Sequence, residues 1–228
     1  MTTPVVTFLD YLEAFNRKER FFLVAFATGS GFRDKAAFRL SEEFRSALGN
    51  AVGLSIPEDA IAFMDYHMEW LHACAVLTRI GTGWPETHMD QEPGNPVSIG
   101  NQEDIDLVVA FIEGAQTRVV LVEAKAETGW TNKQLASKVE RLQRIFGDNG
   151  QSVPGVKPTF CLCSPFNSEN IVYDKWPAWT LSHGKHLFLK LPVTAGRRAV
   201  FGADSLGRPS RDRKFWHVRT TDRAAVIE

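Results

Sequence analysis

The stretch EDIDLVVAFIEGAQTRVVLVEAKAETGWTNKQLASKVERLQRIFG, residues 103–147, decides the fold. Two apolar, β-branched runs flank a Gly-containing polar turn, the pattern of a β-hairpin. The first run opens with Asp106 and the second ends in Glu123-Ala124-Lys125. Side chains two apart on a strand share a face, so Glu123 and Lys125 are expected to project together. Antiparallel pairing brings Asp106 beside them. Both runs read as buried on both faces: Leu107, Val109 and Phe111 alternate with Val108, Ala110 and Ile112. Such near-continuous apolar runs suit the covered centre of a sheet. Charges are costly there unless paired or coordinated. Two carboxylates and one lysine at the polar end of buried strands therefore make a poor core and a plausible metal site. Asp104 points the same way as Asp106 but lies farther toward the loop, and Asp106 is preferred.

The chemistry needs these residue types. Mg²⁺ is a hard cation bound by one or two carboxylates, with water and substrate phosphate in its other positions. A bound metal lowers the pKa of its water and neutralises charge that develops on a phosphate. A nearby ammonium orients the water or stabilises that charge. Asp106, Glu123 and Lys125 supply the parts for phosphodiester hydrolysis. The competing reading is a solvated rim of charges at strand ends.

The order of Asp strand, hairpin, Glu-x-Lys strand and amphipathic helix resembles the PD-(D/E)xK nucleases, the restriction-endonuclease-like fold. The resemblance covers roughly residues 60–165. It implies Asp106 and Glu123 as ligands of Mg²⁺ or Mn²⁺, Lys125 as the catalytic lysine, and assistance from Gln134 on the following helix. It also implies a Glu on the helix before the core sheet, for which Glu69 is the match. One departure is plain: Ile105, rather than proline, precedes the Asp. DNA is the implied substrate, with RNA as the alternative, and defence, restriction or repair the implied setting.

The helix after the lysine is clear. Leu135, Val139, Leu142 and Phe146 repeat at helical spacing as a core stripe. Thr131-Asn132-Lys133-Gln134 fits a T-x-x-Q capping box, which competes with a catalytic role for Gln134. Lys138, Arg141 and Arg144 are placed on the other faces, where they would meet phosphates or simply be solvated. Residues 61–77 read as helical, with Met64, Met68, Leu71 and Ala75 on one face. His67 and His72 lie on that helix without ligand spacing to each other.

Composition bounds the rest. A chain of 228 residues with 44% hydrophobic content can bury one substantial core. No apolar run reaches the length of a membrane span, and the start lacks a basic-then-apolar signal pattern. Three cysteines, two of them in Cys161-Leu162-Cys163 on an expected strand, suggest a reducing, cytoplasmic compartment without a disulfide framework. Their spacing to His183 and His186 matches no zinc pattern. Net charge is −1, but residues 1–130 hold 10 basic and 19 acidic side chains, and residues 131–228 hold 16 and 8. That asymmetry suggests a localised nucleic-acid face. Arg208, Arg211, Arg213 and Lys214 lie between the short apolar runs AVF and FWHV, as the loop of a C-terminal hairpin.

The expected architecture is α/β: a restriction-endonuclease-like core, residues 56–228, with a central mixed sheet flanked by helices. Residues 1–55 would form an N-terminal helical cap, or a surface pairing two copies as a homodimer. Within it, helices are expected over residues 7–28 and about 41–48. Residues 81–101, rich in Gly, Pro and acid, read as a long loop. Further strands are expected over 157–163 and 186–191. The alternative function is a non-catalytic nucleic-acid-binding or protein-interaction module on the same fold. No G-x-S-x-G elbow, P-loop or H-E-x-x-H is present to suggest an unrelated hydrolase.

Overall fold

A computed structural model describes residues 6–15, 23, 39–81, 91–100, 103–126, 129–192 and 198–220. The hairpin is present: β2 (Asp104–Glu113) and β3 (Gln116–Ala124) pair antiparallel from Leu107↔Val122 to Glu113↔Gln116. Gly114 turns the chain at φ +61°, a conformation open to glycine at no steric cost. Helix α4 (Asn132–Phe146) then carries the chain over the sheet to β4 (Val156–Ser164), which runs parallel to β3. A parallel pair needs such a crossover.

The strand β1 (Ile61–His67) corrects the helical expectation for residues 61–77. Only Met68–Ile80, here α3, is helical, and β1 pairs antiparallel with β2. The spacing of Met64, Met68, Leu71 and Ala75 runs across the junction between two elements. His67 makes that junction abrupt: it is extended (φ −65°, ψ 131°) and its side chain accepts the Glu69 N–H, capping α3.

The expected strands beyond α4 are found. Residues Lys185–Lys190 form β6, parallel to β4 and antiparallel to the short β5 (Leu181–Ser182). The main sheet has six strands in the order β1-β2-β3-β4-β6-β5. A separate two-stranded ribbon, β7 (Arg198–Ala203) with β8 (Phe215–Thr220), is the expected C-terminal hairpin. The fold is thus a mixed central sheet flanked by helices.

Each face of the sheet buries its own core. On one, Val108, Ala110, Val119, Leu121, Phe160 and Leu162 pack with α3, α4 and α1 (Phe8–Phe15). On the other, Val109, Phe111, Val120, Val122 and Cys161 pack with Leu48 and Ile56, of which Leu48 lies on α2 (Glu42–Val52). Tyr66 ties α1 to the sheet, donating its hydroxyl to the Leu12 carbonyl at 3.0 Å. The rest of the helical expectation for residues 7–28 lies outside the described residues, Leu23 excepted. So do residues 82–90 of the expected long loop. Among the described residues no helix is long and apolar enough to cross a membrane.

Candidate functional site at the polar end of the sheet

Strand alternation fails at one level of the sheet, and the acidic residues gather there. Val108 and Ala110 face α4, and Leu107 and Val109 face α2, as period two requires. Ile105 should then face α2, yet it packs on the α4 side with Val108. The strand turns over at Asp106. Its neighbour behaves alike: Asp65 lies between the pairs Met64↔Leu107 and Tyr66↔Ile105, with φ +50°. Aspartate is among the few residues that tolerate this left-handed region.

Continuing the register of β2 and β3 one step beyond Leu107↔Val122 sets Asp106 beside Glu123. Asp65, Asp106 and Glu123 thus occupy one row across three adjacent strands. Sequence reading misses Asp65 because the spacing of apolar residues over 61–77 predicts a helix there. Assigned as a strand, the register itself would have found it.

Each predicted ligand is held by a distinct contact. Asp106 Oδ2 accepts the backbone N–H of Ala124 at 2.6 Å, fixing its carboxylate at the end of β3. Glu123 is buried and pairs through Oε2 with the ammonium of Lys138, itself buried on α4. Lys138 Nζ also donates to the Asp104 carbonyl at 2.6 Å. Burial pushes the Glu123 carboxyl above its ordinary range, opposed by Lys138 and reinforced by the charge of Asp106; Lys125 opposes it more weakly. The two carboxylates and two lysines are therefore within electrostatic reach of one another. Asp106 also adds to the rise that burial imposes on the Cys163 thiol, about 11. Lys125 is partly exposed, and its backbone N–H donates to the Cys163 carbonyl at 2.9 Å, extending the β3–β4 pairing to the lysine itself.

Other expectations resolve differently. Lys138 is not on a solvent face: it stands on the Leu135–Leu142 stripe, and the positions i, i+3 and i+7 could have revealed it. Arg141 pairs with Glu103 at 3.3 Å, and Arg144, exposed, pairs with Glu140 one turn back. Gln134 is exposed, its N–H donating to Thr131 Oγ1 at 3.3 Å while its side-chain oxygen accepts from that hydroxyl at 3.2 Å. Thr131 thus caps the helix as expected, while the Gln134 side chain meets the Thr131 hydroxyl instead of the backbone N–H that a full capping box uses. Glu69 accepts from the Ser98 hydroxyl at 2.8 Å and the Ile99 N–H at 2.7 Å, anchoring the 91–100 loop to α3. These bonds engage Gln134 and Glu69 with their local scaffold. His72 is buried, and burial first, then Arg79 and Arg141, holds it down at about 4, so it is neutral at neutral pH.

Two carboxylates suit a hard divalent cation. Hydrogen bonds among the described residues commit Oδ2 of Asp106 and Oε2 of Glu123, leaving Oδ1 and Oε1 for a ligand. No group of three or more His, Cys, Asp or Glu side chains among the described residues converges to hold a metal alone. In comparison with known proteins, the chain matches no family model, no curated protein and no solved structure.

Proposed function

We propose that this chain is a metal-dependent nuclease that hydrolyses DNA phosphodiester bonds from a restriction-endonuclease-like core. The carrying observation is the row at the end of the central strands: Asp106 beside Glu123 in register, with Lys125 two residues on. The element order around it, Asp strand, hairpin, Glu-x-Lys strand, crossover helix and parallel strand, supports the PD-(D/E)xK reading. Asp106 Oδ1 and Glu123 Oε1 would hold Mg²⁺ or Mn²⁺. Bound there, the cation supplies a polarised phosphoryl oxygen and a water of lowered pKa. The Lys125 ammonium orients that water and stabilises charge that develops on the phosphate. Lys138 holds Glu123 Oε2 and so fixes which oxygen faces the ligand, a positioning role. Gln134 and Glu69 serve the scaffold around the site, as helix cap and loop anchor.

A second reading has one observation in its favour. The Glu123–Lys138 pair satisfies a buried carboxylate without any metal, as an interaction module on this fold would need. One experiment separates the two: incubation with plasmid, linear, single-stranded and branched DNA, with Mg²⁺, with Mn²⁺ and with chelator. Chelator-sensitive cleavage supports the nuclease. A protein that binds these DNAs but cleaves none, with either metal, supports the module.

A further inference from the structure

The β7–β8 ribbon stands outside the main sheet and presents an exposed apolar stripe. Across it the pairs Val200↔Val218 and Gly202↔Trp216 put Val200, Val218 and Trp216 on one face. All three are exposed, Trp216 at 73%. The opposite face is partly covered: Ala203 is buried and Phe201 half-buried against the His217 ring, while Phe215 and His217 are themselves exposed. An indole that exposed gains nothing for folding.

Charge says what should cover it. Residues 198–220 hold six basic and two acidic side chains, a balance of +4 on a chain whose net charge is −1. The connecting loop is ordered by Asp204, whose carboxylate accepts from the N–H groups of Leu206 (2.8 Å) and Arg208 (3.0 Å) and from the Arg208 guanidinium (2.9 Å). Those bonds hold its carboxyl below the ordinary range. Arg211 and Lys214 are exposed, and neither has an ion pair among the described residues. Gly202 is where Arg213 crosses the ribbon: a Cβ at that position would lie within 3 Å of the arginine stem. The arginine thus lies over the residue paired with Trp216.

We propose that this ribbon binds single-stranded DNA, with Trp216 stacking on an unpaired base and Arg211, Arg213 and Lys214 tracking the phosphates. Exposed aromatics beside cations are the parts that single-strand binding uses, since every base offers a π-face and every nucleotide a charge. A duplex keeps its bases stacked and would leave Trp216 idle. The surface is distinct from the Asp106–Glu123 row and requires no metal.

The test is fluorescence anisotropy of a labelled oligo(dT) with the full chain in chelator, which separates it from cleavage. Wild-type protein should bind oligo(dT) more tightly than a duplex of equal length. Trp216→Ala should weaken oligo(dT) binding about 5- to 150-fold, the range for losing one stacked base. Arg211→Ala with Lys214→Ala should lower the salt slope by about 1.4, roughly 0.7 for each phosphate of the single strand that is no longer neutralised. Binding unchanged in Trp216→Ala overturns the proposal. So does a wild-type dimer in gel filtration that Trp216→Ala converts to monomer while oligo(dT) affinity stays constant, because the stripe then meets a second copy.

Discussion

Lys138→Met would expose how the site is held. The lysine side chain is 9% exposed, as is that of Glu123, and its ammonium bonds both Glu123 Oε2 and the Asp104 carbonyl. Methionine keeps most of the stem's volume and removes the ammonium, both its charge and its hydrogen bond to the Asp104 carbonyl. Glu123 is then left buried without its counter-charge, beside Asp106, whose charge already opposes ionisation. Breaking a buried pair in this way costs about 3–5 kcal/mol. For a chain of this length that lowers Tm by roughly 6–20 °C. The cost depends on pH with a definite sign. The Glu123 carboxyl is raised above about 4.5, its value when unfolded, and loss of the ammonium raises it further. A carboxyl raised on folding contributes stability that is full below its unfolded pKa and lost as pH rises through its folded one. The destabilisation should therefore be small near pH 4.5 and grow toward pH 7.5. Adding Glu123→Gln should recover most of it, because an uncharged pair leaves no buried ion. Urea melts of wild type, Lys138→Met, Glu123→Gln and the double variant at pH 5 and 7.5 read this directly. A Lys138→Met cost below about 1 kcal/mol at pH 7.5, or one that does not change with pH, would refute the pairing as described.

Three further outcomes follow from the same geometry. Lys125→Met should keep Mn²⁺ and DNA binding but lose cleavage, because the ammonium acts mainly in the transition state; a variant with normal turnover removes Lys125 from the reaction. Glu69→Ala should free the 91–100 loop, read as faster backbone hydrogen exchange at Ile99 while Tm falls by only a few degrees; unchanged exchange would mean the carboxylate does not hold the loop. Arg144→Ala should shift stability by no more than about 0.5 kcal/mol, since its pair with Glu140 is an exposed one-turn contact. A urea midpoint lowered by more than that pair can supply would mean Arg144 has a partner in the core.

The hairpin and crossover helix were legible because their signals are local: two unbroken apolar runs around Gly114, then a cap and a stripe at helical spacing. Thr131-Gln134 was readable as a cap for the same reason. The strand Ile61–His67 was not, because no Gly, Pro or polar run separates it from α3; the only punctuation is the His67 cap. The same lack of punctuation hides Asp65. Lys138 was misplaced because a lysine on a core stripe looks like a solvent residue until its partner is known, and the partner lies 15 residues earlier on another element. Long-range pairing of this kind leaves no trace in spacing. The basic C-terminal loop is legible, but the exposure of Trp216 is not, because strand alternation alone does not say which side chains of a ribbon are left open.

Calorimetric titration of Mn²⁺ into wild type and Asp106→Asn, with plasmid cleavage scored on the same samples, tests the central claim most directly. Asparagine preserves the size of the side chain and an oxygen for the Ala124 N–H while removing a hard anionic ligand. The site predicts weakened Mn²⁺ binding and lost cleavage in an otherwise folded Asp106→Asn protein. Equal Mn²⁺ binding by the two proteins, or wild-type cleavage that persists in chelator, would contradict it.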